Sequence, residues 1–338
     1  MCKEKDIIRI ISEQLPRSKK QLNNLFESDS EIIRFNSSKL LFSVDSFSKE
    51  DYFSDKNAYI LGWNLTTATI SDILATGGLP SFYAHSLSVN NNIWDERYLK
   101  ELSLGISDVL KASNTSFIGG DLGFSDAWNY TGIVIGESKC PITRKGARSG
   151  DIIMMTGQVG AGNLEASLNI YSENPKINDF EKKYHAKLNL RYNESKLISQ
   201  FASSCTDTSD GLANGLISLA EINHVGFALQ EIPYQKEGLS ACMALSIPKE
   251  LLFLGECGEY ELLFTLDKRN LSKFNKCAEV QNLSFTPIGY VTENKIKRLE
   301  SSSSKIDLNE FNIRARDYED VHFYIKALTN YILNHEKS

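Results

Sequence analysis

The 338-residue sequence has few of the features that mark disordered, fibrous or disulfide-rich chains. It contains only seven prolines and 21 glycines, while 41% of its residues are hydrophobic, so it has enough apolar side chains to bury a core. The six cysteines are scattered and none has CxxC spacing, which argues against a zinc site and a disulfide framework. This length favours two domains or one large domain.

Long apolar runs and basic blocks are also missing. No segment approaches the ~18 uninterrupted apolar residues of a membrane helix, and charged residues interrupt the first eleven positions. Lys and Arg total 37 against 43 Asp and Glu, a net charge of −6, with no basic stripe for nucleic acid. We therefore expect a cytoplasmic protein that binds neither membranes nor nucleic acid. Small phosphorylated ligands remain open through bridging metal ions.

Strand and helix patterns alternate in both halves of the chain. A strand is predicted to end at Asp45, followed by a turn-like stretch over 46–55 and a buried helix over 60–76. Further strands are predicted at 83–89, 116–118, 130–136, 152–156, 203–207, 226–229, 260–266 and 286–291, and helices at 94–112, from about 164, at 211–222 and within 314–338. The polar stretch 171–185 is predicted to be a loop or a helical excursion.

The segment around 140–150 changes in character and contains several basic residues. We interpret it as the crossing between two related α/β halves. The sequence therefore predicts an α/β (α+β) fold with one domain over 1–142 and a second over 143–338.

Several aspartates end apolar strands or lie beside glycines, namely Asp45, Asp72, Asp121, Asp207 and Asp210. Taken singly, each is typical of a turn or a helix cap. Asp72 differs, because it lies within a helical pattern of apolar and small residues, where an unpaired carboxylate is costly. Mg²⁺ prefers carboxylate oxygens and commonly brings phosphates with it. Because no histidine or thiol accompanies these carboxylates, the set predicts magnesium and a nucleotide.

The way in which phosphate is held remains open at this point. The sequence lacks GxxxxGK[ST], which argues against a P-loop NTPase. The glycine cluster over 157–162 follows a strand, but its GxxGxG spacing is more typical of a tight turn than of a dinucleotide site. The cations over 144–148 are either a solvated surface cluster or phosphate ligands.

Five motifs resemble, in order and spacing, those of the thiamine-monophosphate kinases, a family of the aminoimidazole-ribonucleotide (AIR) synthetase-like superfamily. The motifs are ATISDILATGGLP at 68–80, GGD at 119–121, RKGARSGD at 144–151, DTSDGL at 207–212 and EYELLF at 259–264. The resemblance extends over about residues 27–292. It implies an AIR synthetase-like fold, in which an N-terminal domain binds ATP and Mg²⁺ and dimerises and a C-terminal α/β domain covers it. The implied reaction moves the γ-phosphoryl group of ATP onto thiamine monophosphate, giving thiamine diphosphate.

The resemblance also implies roles for individual residues. Asp210 and Ser209 would be catalytic. The implied substrate contacts are Asp51, Glu259 and Tyr260. The implied metal ligands are Asp29, Asp45, Asp72, Asp121, Asp207 and Asp210, and the implied nucleotide contacts are Gly120, Asp121, Arg144, Asp45 and Ser46.

The chain departs from the family pattern most where the acceptor is expected. Ser28 stands where the family has the first aspartate of Gly-Asp-Asp, and Leu122 replaces a threonine. The segment 50–53 lacks the histidine of the family's substrate pocket, and Glu259 replaces an aspartate. Three interpretations follow: this kinase, an ATP-dependent relative that acts on another acceptor such as an amide or carbonyl oxygen, and a non-catalytic nucleotide-binding protein.

Overall fold

The computed structural model describes residues 4–90, 93–170, 184–301 and 304–335. Within these residues the strands form one five-stranded and one seven-stranded sheet. Nearly all of the 171–185 stretch, predicted as a loop or helical excursion, lies outside the described residues. The described helices do not include one that is long and apolar enough to cross a membrane.

The first sheet is formed by the N-terminal part of the chain, after helix α1 (Glu4–Gln14). Its strands are β1 (Glu31–Phe35), β2 (Ser38–Ser48), β3 (Leu79–Val89), β4 (Ser116–Phe124) and β5 (Asn129–Ser138). They lie in the order β1-β2-β5-β3-β4, with only β3 and β4 parallel, so β4 is an edge strand. Two helices connect these strands, α2 (Ala58–Ala75) and α3 (Glu96–Ala112).

Helix α2 is buried on nearly all sides, because its sequence has small or apolar residues around the whole circumference. It begins at Asn57, whose side chain accepts a hydrogen bond from the backbone N–H of Ile60 at 3.0 Å. Glycine lets α3 lie close to it: a Cβ atom on Gly105 would be 2.1 Å from the carbonyl oxygen of Tyr59. The predicted buried helix over 60–76 is therefore confirmed.

The second sheet is formed by the C-terminal part of the chain. Its strands are β6 (Ile152–Met155), β7 (Ala202–Asp207), β8 (Gly226–Leu229), β9 (Leu262–Leu266), β10 (Thr286–Thr292), β11 (Lys297–Glu300) and β12 (Lys305–Asp307), in the order β12-β11-β8-β10-β6-β9-β7. The accompanying helices are α4 (Ala161–Ile170), α5 (Tyr192–Ile198), α6 (Leu212–Asn223), α7 (Lys236–Leu245), α8 (Leu251–Leu254), α9 (Leu271–Val280) and α10 (Val321–His335).

A continuous hydrophobic cluster joins the two sheets through α2. It contains Leu65 and Ile73 of α2, Leu41 of the first sheet, and Cys205 and Phe264 of the second. All five are buried. This packing brings one face of α2 against the end of the second sheet at which β7 terminates, and that junction holds the candidate site.

The structure confirms the alternating α/β class, while the predicted boundary between 142 and 143, which lies between β5 and β6, stays a prediction. Three strand predictions were clearly too short. β2 continues through Asp45 to Ser48, β3 begins at Leu79 rather than at 83, and β4 continues through the GGD motif to Phe124, because all three pair with neighbouring strands over these residues. The charged strands β11 and β12 were not predicted, since they lack the apolar alternation that identifies a strand.

Candidate active site

Three aspartates from separate parts of the chain meet at the junction of α2 and the second sheet. Asp29 lies in the loop before β1, Asp72 lies on α2, and Asp207 ends β7. One carboxylate oxygen of each lies within 4.8 Å of those of the other two. Like charges at such distances repel strongly in a buried site, so the arrangement favours a proton or a cation between them.

Asp29 is held in this position by hydrogen bonds of its own side chain and of the neighbouring Ser30. The hydroxyl of Ser30 donates to the hydroxyl of Thr76, the residue that ends α2, at 2.8 Å. Arg144 lies 2.6 Å from Oδ1 of Asp29, and the hydroxyl of Thr206 donates to the same oxygen at 2.9 Å. The Asp29 side chain is only 1% exposed. Arg144 therefore supplies one positive charge to the cluster, and the negative charge of Asp29 raises the pKa of the guanidinium.

The other two carboxylates are oriented by serine hydroxyls. Ser43 on β2 donates to Asp72, and Ser209 donates to Oδ1 of Asp207 at 2.8 Å. Oδ2 of Asp207 and Oδ2 of Asp29 are buried and have no hydrogen-bond partner among the described residues. Buried carboxylate oxygens without a donor are costly, and a cation would satisfy both.

Asp45 is electrostatically coupled to this cluster. Burial, together with the charges of Asp207 and Asp29, raises its pKa to about 7. Burial and the charge of Asp29 raise the pKa of Asp207 to about 6, and burial with the three neighbouring carboxylates raises that of Asp72 well above its usual value. Four of the predicted metal ligands, Asp29, Asp45, Asp72 and Asp207, thus form one acidic group.

A cleft of about 610 Å³ opens beside this group, and we call it the carboxylate cleft. Asp210, which is exposed and lies just before α6, lines it together with Ser209 and Asp207. The lining also includes five cations, Lys5 and Arg9 of α1, Arg144, Arg314 and Arg316, with the acidic residues Asp6, Glu221 and Asp317 among them. Carboxylates and cations in one cleft suit a metal-bound polyphosphate.

The structure does not bring three of the predicted nucleotide contacts to this cleft. Gly120 and Asp121 lie on the edge strand β4, on which Asp121 is exposed and pairs with Ser86. Ser46 follows Asp45 on β2, so the alternation of a strand directs it to the other face, where its hydroxyl meets that of Thr131 at 2.9 Å. The resemblance could not reveal this separation, because it depends on strand order.

A second cavity, of about 570 Å³, lies on the other side of the 255–257 segment, and we call it the apolar cavity. Helices α4, α7, α8 and α10 supply most of its lining, and the loop 49–56 closes one side. Asp51 lies in that loop and accepts a hydrogen bond from the backbone N–H of Ser48 at 2.6 Å. The hydroxyl of Tyr52 donates to the carbonyl of Gly258 at 2.7 Å, which fastens the loop to the EYELLF region.

The other two predicted substrate contacts have different surroundings. Glu259 is 4% exposed and accepts a hydrogen bond from the N–H of Gly160 at 2.6 Å, so it supports a turn rather than lining the apolar cavity. Burial raises its pKa to about 8. Tyr260 stacks on Phe53 with 6.2 Å between ring centroids. Its pKa is raised by burial and by neighbours that include Asp45, so it lies between the loop and the acidic group.

Sequence reasoning missed several residues that complete the site. Ser43 and Thr206 each donate to a carboxylate of the cluster. Ser43 could have been found, since it lies two residues before Asp45 and therefore on the same face of the strand. The cationic walls formed by α1 and by Arg314 carry no local signal, because basic residues on a helix or loop are usually solvated.

Comparison with known proteins supports the sequence resemblance. The model of the family "AIR synthase related protein, N-terminal domain" matches residues 27–138. The chain is 30% identical over 327 residues to a thiamine-monophosphate kinase of Pyrococcus horikoshii, covering 94% of this chain and 98% of that protein. A thiamine-monophosphate kinase of Bacillus subtilis is 30% identical over 241 residues, covering 69% of this chain and 73% of the other.

Solved structures show the same architecture. A structure described as AaThiL complexed with AMPPCP and TMP superposes with a TM-score of 0.73 at 25% identity, covering 88% of this chain and 93% of that one.

Proposed function

The chain belongs to the thiamine-monophosphate kinase family, and from this premise we propose that it transfers the γ-phosphoryl group of ATP to thiamine monophosphate, forming thiamine diphosphate and ADP. The resemblance inferred from the five motifs is thereby confirmed. The observation that carries the proposed reaction is the buried carboxylate group facing a cation-lined cleft. Phosphoryl transfer requires mainly positioning and charge neutralisation, which such a site supplies.

We propose that the acidic group holds Mg²⁺. The residues fit a hard cation, since three carboxylates converge and two of their buried oxygens lack a hydrogen-bond donor. Asp29, Asp72 and Asp207 would be ligands, with Asp45 beside them and Asp210 at the rim. Bound magnesium neutralises the charge of phosphate oxygens. Asp121, which is exposed on the edge strand β4, lies outside this group and stays a predicted ligand.

The protein's own residues then account for how ATP is held. Ser209 fixes the orientation of Asp207, and Ser43 that of Asp72, so the carboxylates are arranged before the nucleotide binds. Arg144 is anchored by Asp29 and lines the cleft, where its remaining N–H groups would donate to the phosphates of bound ATP. Asp210 lies at the rim of the cleft, where it would face the transferred group.

We propose that the apolar cavity takes the thiamine part of the acceptor. Its lining is mostly apolar, and the predicted substrate contact Asp51 lies in the loop that closes one side. Aromatic rings of the acceptor would be buried there, while the polar loop would meet its amino and charged groups. The missing histidine of segment 50–53 is compensated in part by Tyr52, whose ring lines the same wall.

We also propose that the protein is a homodimer with β4 at the interface. β4 is an edge strand, and four of its large apolar side chains are at least half exposed, namely Phe117, Ile118, Leu122 and Phe124. Unpaired edges with apolar side chains favour pairing with a second chain. Light scattering is expected to give a mass of twice the chain mass for wild type and the mass of a monomer for Leu122→Glu. A monomeric wild type at micromolar concentration would reject the dimer.

We also propose a cytoplasmic location, where thiols stay reduced. The five described cysteines, at positions 140, 205, 242, 257 and 277, are free thiols.

The reaction is tested by incubating the protein with ATP, Mg²⁺ and thiamine monophosphate and following ADP and thiamine diphosphate by chromatography. Stoichiometric formation of both is expected. ADP without thiamine diphosphate would indicate another acceptor or a weak ATPase, and neither product would favour a non-catalytic nucleotide-binding protein.

A further inference from the structure

An ion pair forms the wall between the carboxylate cleft and the apolar cavity. The guanidinium of Arg314 lies 3.0 Å from Oε1 of Glu256, and the backbone N–H of Ala315 donates to Oε2 of Glu256 at 2.7 Å. Arg314 lines the cleft, whereas Glu256 and Ala315 line the cavity. The pair therefore faces both spaces at once.

This wall lies beside the loop that presents Asp210. A Cβ atom on Gly211 would be 2.2 Å from the carbonyl oxygen of Gly255 and 3.5 Å from the Cα of Glu256. The backbone N–H of Gly258 donates to the carbonyl of Ser209 at 3.2 Å. Segments 208–211 and 255–258 are thus packed directly on each other, which places Glu256 beside the loop that carries Asp210.

The reaction of the proposed function places a special demand on this position. A phosphoryl group that passes from one phosphate to another brings two anions into contact, and their repulsion is strong when little water lies between them. A cation at the border offsets that repulsion. Arg314 is a cation in this position, because it lines the cleft and is ion-paired to Glu256, which lines the cavity.

The chemistry of Arg314 suits an exchange of partners. Its side chain is 26% exposed and that of Glu256 is 13% exposed, so the pair is open to the cavities rather than sealed in the core. A guanidinium binds a phosphate through two parallel N–H donors and retains its charge at every physiological pH. Glu256 would hold it in place until an anion with more charge arrives.

We propose that Arg314 binds the phosphate of thiamine monophosphate, taking it in exchange for Glu256, and so makes the site specific for a phosphorylated acceptor. This inference rests on the proposed function, since it takes the acceptor from there. Arg314 is then a substrate-binding residue in the wall between the cleft and the cavity, and Glu256 is the residue that positions Arg314.

Binding measurements test this without requiring turnover. Calorimetric titration of the full chain with thiamine monophosphate and with unphosphorylated thiamine is expected to show tighter binding of the phosphate ester. Arg314→Gln should weaken the binding of thiamine monophosphate roughly 10- to 100-fold, as for loss of a charge-assisted hydrogen bond, and should change the affinity for thiamine by no more than about twofold. The affinity of Arg314→Lys for thiamine monophosphate should lie between those of wild type and Arg314→Gln. Thiamine binding also reports that the cavity of each variant is intact.

Two further variants sharpen the test. Glu256→Gln leaves Arg314 charged without its anionic partner, so thiamine monophosphate should bind as tightly as to wild type or more tightly. Arg298→Gln is the matched control, because Arg298 forms an ion pair with Glu300 on β11 at 3.2 Å and lines neither space. It should bind both ligands like wild type.

Several outcomes would overturn the inference: equal binding of both ligands to wild type, an undiminished preference for the phosphate ester in Arg314→Gln, or a loss of that preference in Lys49→Gln instead. The last result would place the phosphate at the loop side of the cavity, which Lys49 lines. Wild type that binds thiamine monophosphate through Arg314 but forms no thiamine diphosphate would reject the proposed kinase reaction and leave the phosphate contact standing.

Discussion

The carboxylate cleft and the apolar cavity have similar volumes, about 610 and 570 Å³, but opposite linings. Aspartates and arginines surround the cleft, whereas helix faces with leucine, isoleucine and alanine surround most of the cavity. The difference matters for what a sequence reveals. A carboxylate in an apolar helix is anomalous and demands an explanation, while an apolar residue beside a cavity looks like any core residue.

The largest effect on activity is expected from a substitution in the acidic group beside the carboxylate cleft. Asp72→Asn should lower turnover at least about 100-fold, because the amide cannot replace a carboxylate in holding a cation. The melting temperature of the metal-free protein should stay the same or rise, since repulsion among buried carboxylates is relieved. Steady-state kinetics and thermal unfolding measure the two effects.

Asp108→Asn is a matched control for this variant. Asp108 lies on α3, accepts a hydrogen bond from Tyr59 and lines neither space. It should leave turnover close to that of wild type. Turnover of Asp72→Asn within tenfold of wild type would show that the buried group does not hold the metal.

The second prediction tests whether the apolar cavity, and not the cleft, binds the acceptor. Ala166→Phe places a ring in the apolar cavity from α4 and should raise the KM for thiamine monophosphate roughly 10- to 100-fold, since the space for the acceptor is filled. The KM for ATP, measured in the same assay, is the internal control and should change little. Equal increases in both constants would mean that the two spaces do not serve different substrates.

The third prediction concerns Glu259, which is buried and supports the turn at Gly160. Its pKa is about 8 in the fold, above the ordinary value, so its contribution to stability is complete at low pH and is lost as pH rises through 8. Glu259→Gln cannot ionise. The free energy of unfolding of this variant relative to wild type should therefore increase by roughly 4 kcal/mol between pH 5 and pH 9.

Urea unfolding at the two pH values measures this difference, and Glu310→Gln is the control because Glu310 is exposed. A parallel fall in stability of wild type and Glu259→Gln across this range would show that Glu259 is ionised in the fold.

The smallest effect is the pH dependence of stabilisation by magnesium. Asp45 and Asp207 have pKa values of about 7 and 6, raised above those of an unfolded chain, so without metal their ionisation destabilises the fold as pH rises through this range. Mg²⁺ competes with protons for the carboxylates. Adding Mg²⁺ should raise the melting temperature by a few degrees more at pH 8 than at pH 5.5.

The ionic strength of the samples with and without Mg²⁺ is matched with NaCl, so that the screening of charges by salt is the same in both. A larger gain at pH 5.5 than at pH 8 would contradict carboxylate ligation by the acidic group.

Much of the fold could be predicted from the sequence, and the reasons are local. Helix α2 was recognised because apolar and small residues continue for almost five turns and a double glycine follows. The strand β8 was predicted at its observed bounds, since its four residues are apolar or small and polar residues follow them. The extent of β4 could not be predicted, because its glycines pair with β3 only through the parallel arrangement that the connecting helix α3 creates.

The candidate site divides in the same way. Asp45, Asp72 and Asp207 were identified from their immediate neighbours in sequence, and Asp29 from the family resemblance. Arg144 was noticed in a basic segment, and the resemblance gave it a role. Their meeting could not be derived, since Asp45 and Asp121 have similar local patterns and only one of them adjoins the cluster. The wall formed by Glu256 and Arg314 was not foreseen at all, because neither residue is unusual in its own segment.

The sequence by itself determined the family of this protein through its ordered motifs, and the carboxylates at strand ends, without cysteine or histidine pairs, predicted a phosphate site that uses a hard metal ion. Only the tertiary structure decided which carboxylates converge, which lie apart on an edge strand, and which ion pair separates the two spaces. Residue type sets what a side chain can bind. The packing of α2 between two sheets sets which side chains lie within a few ångströms of one another, and the electrostatic energy of the site depends on those distances.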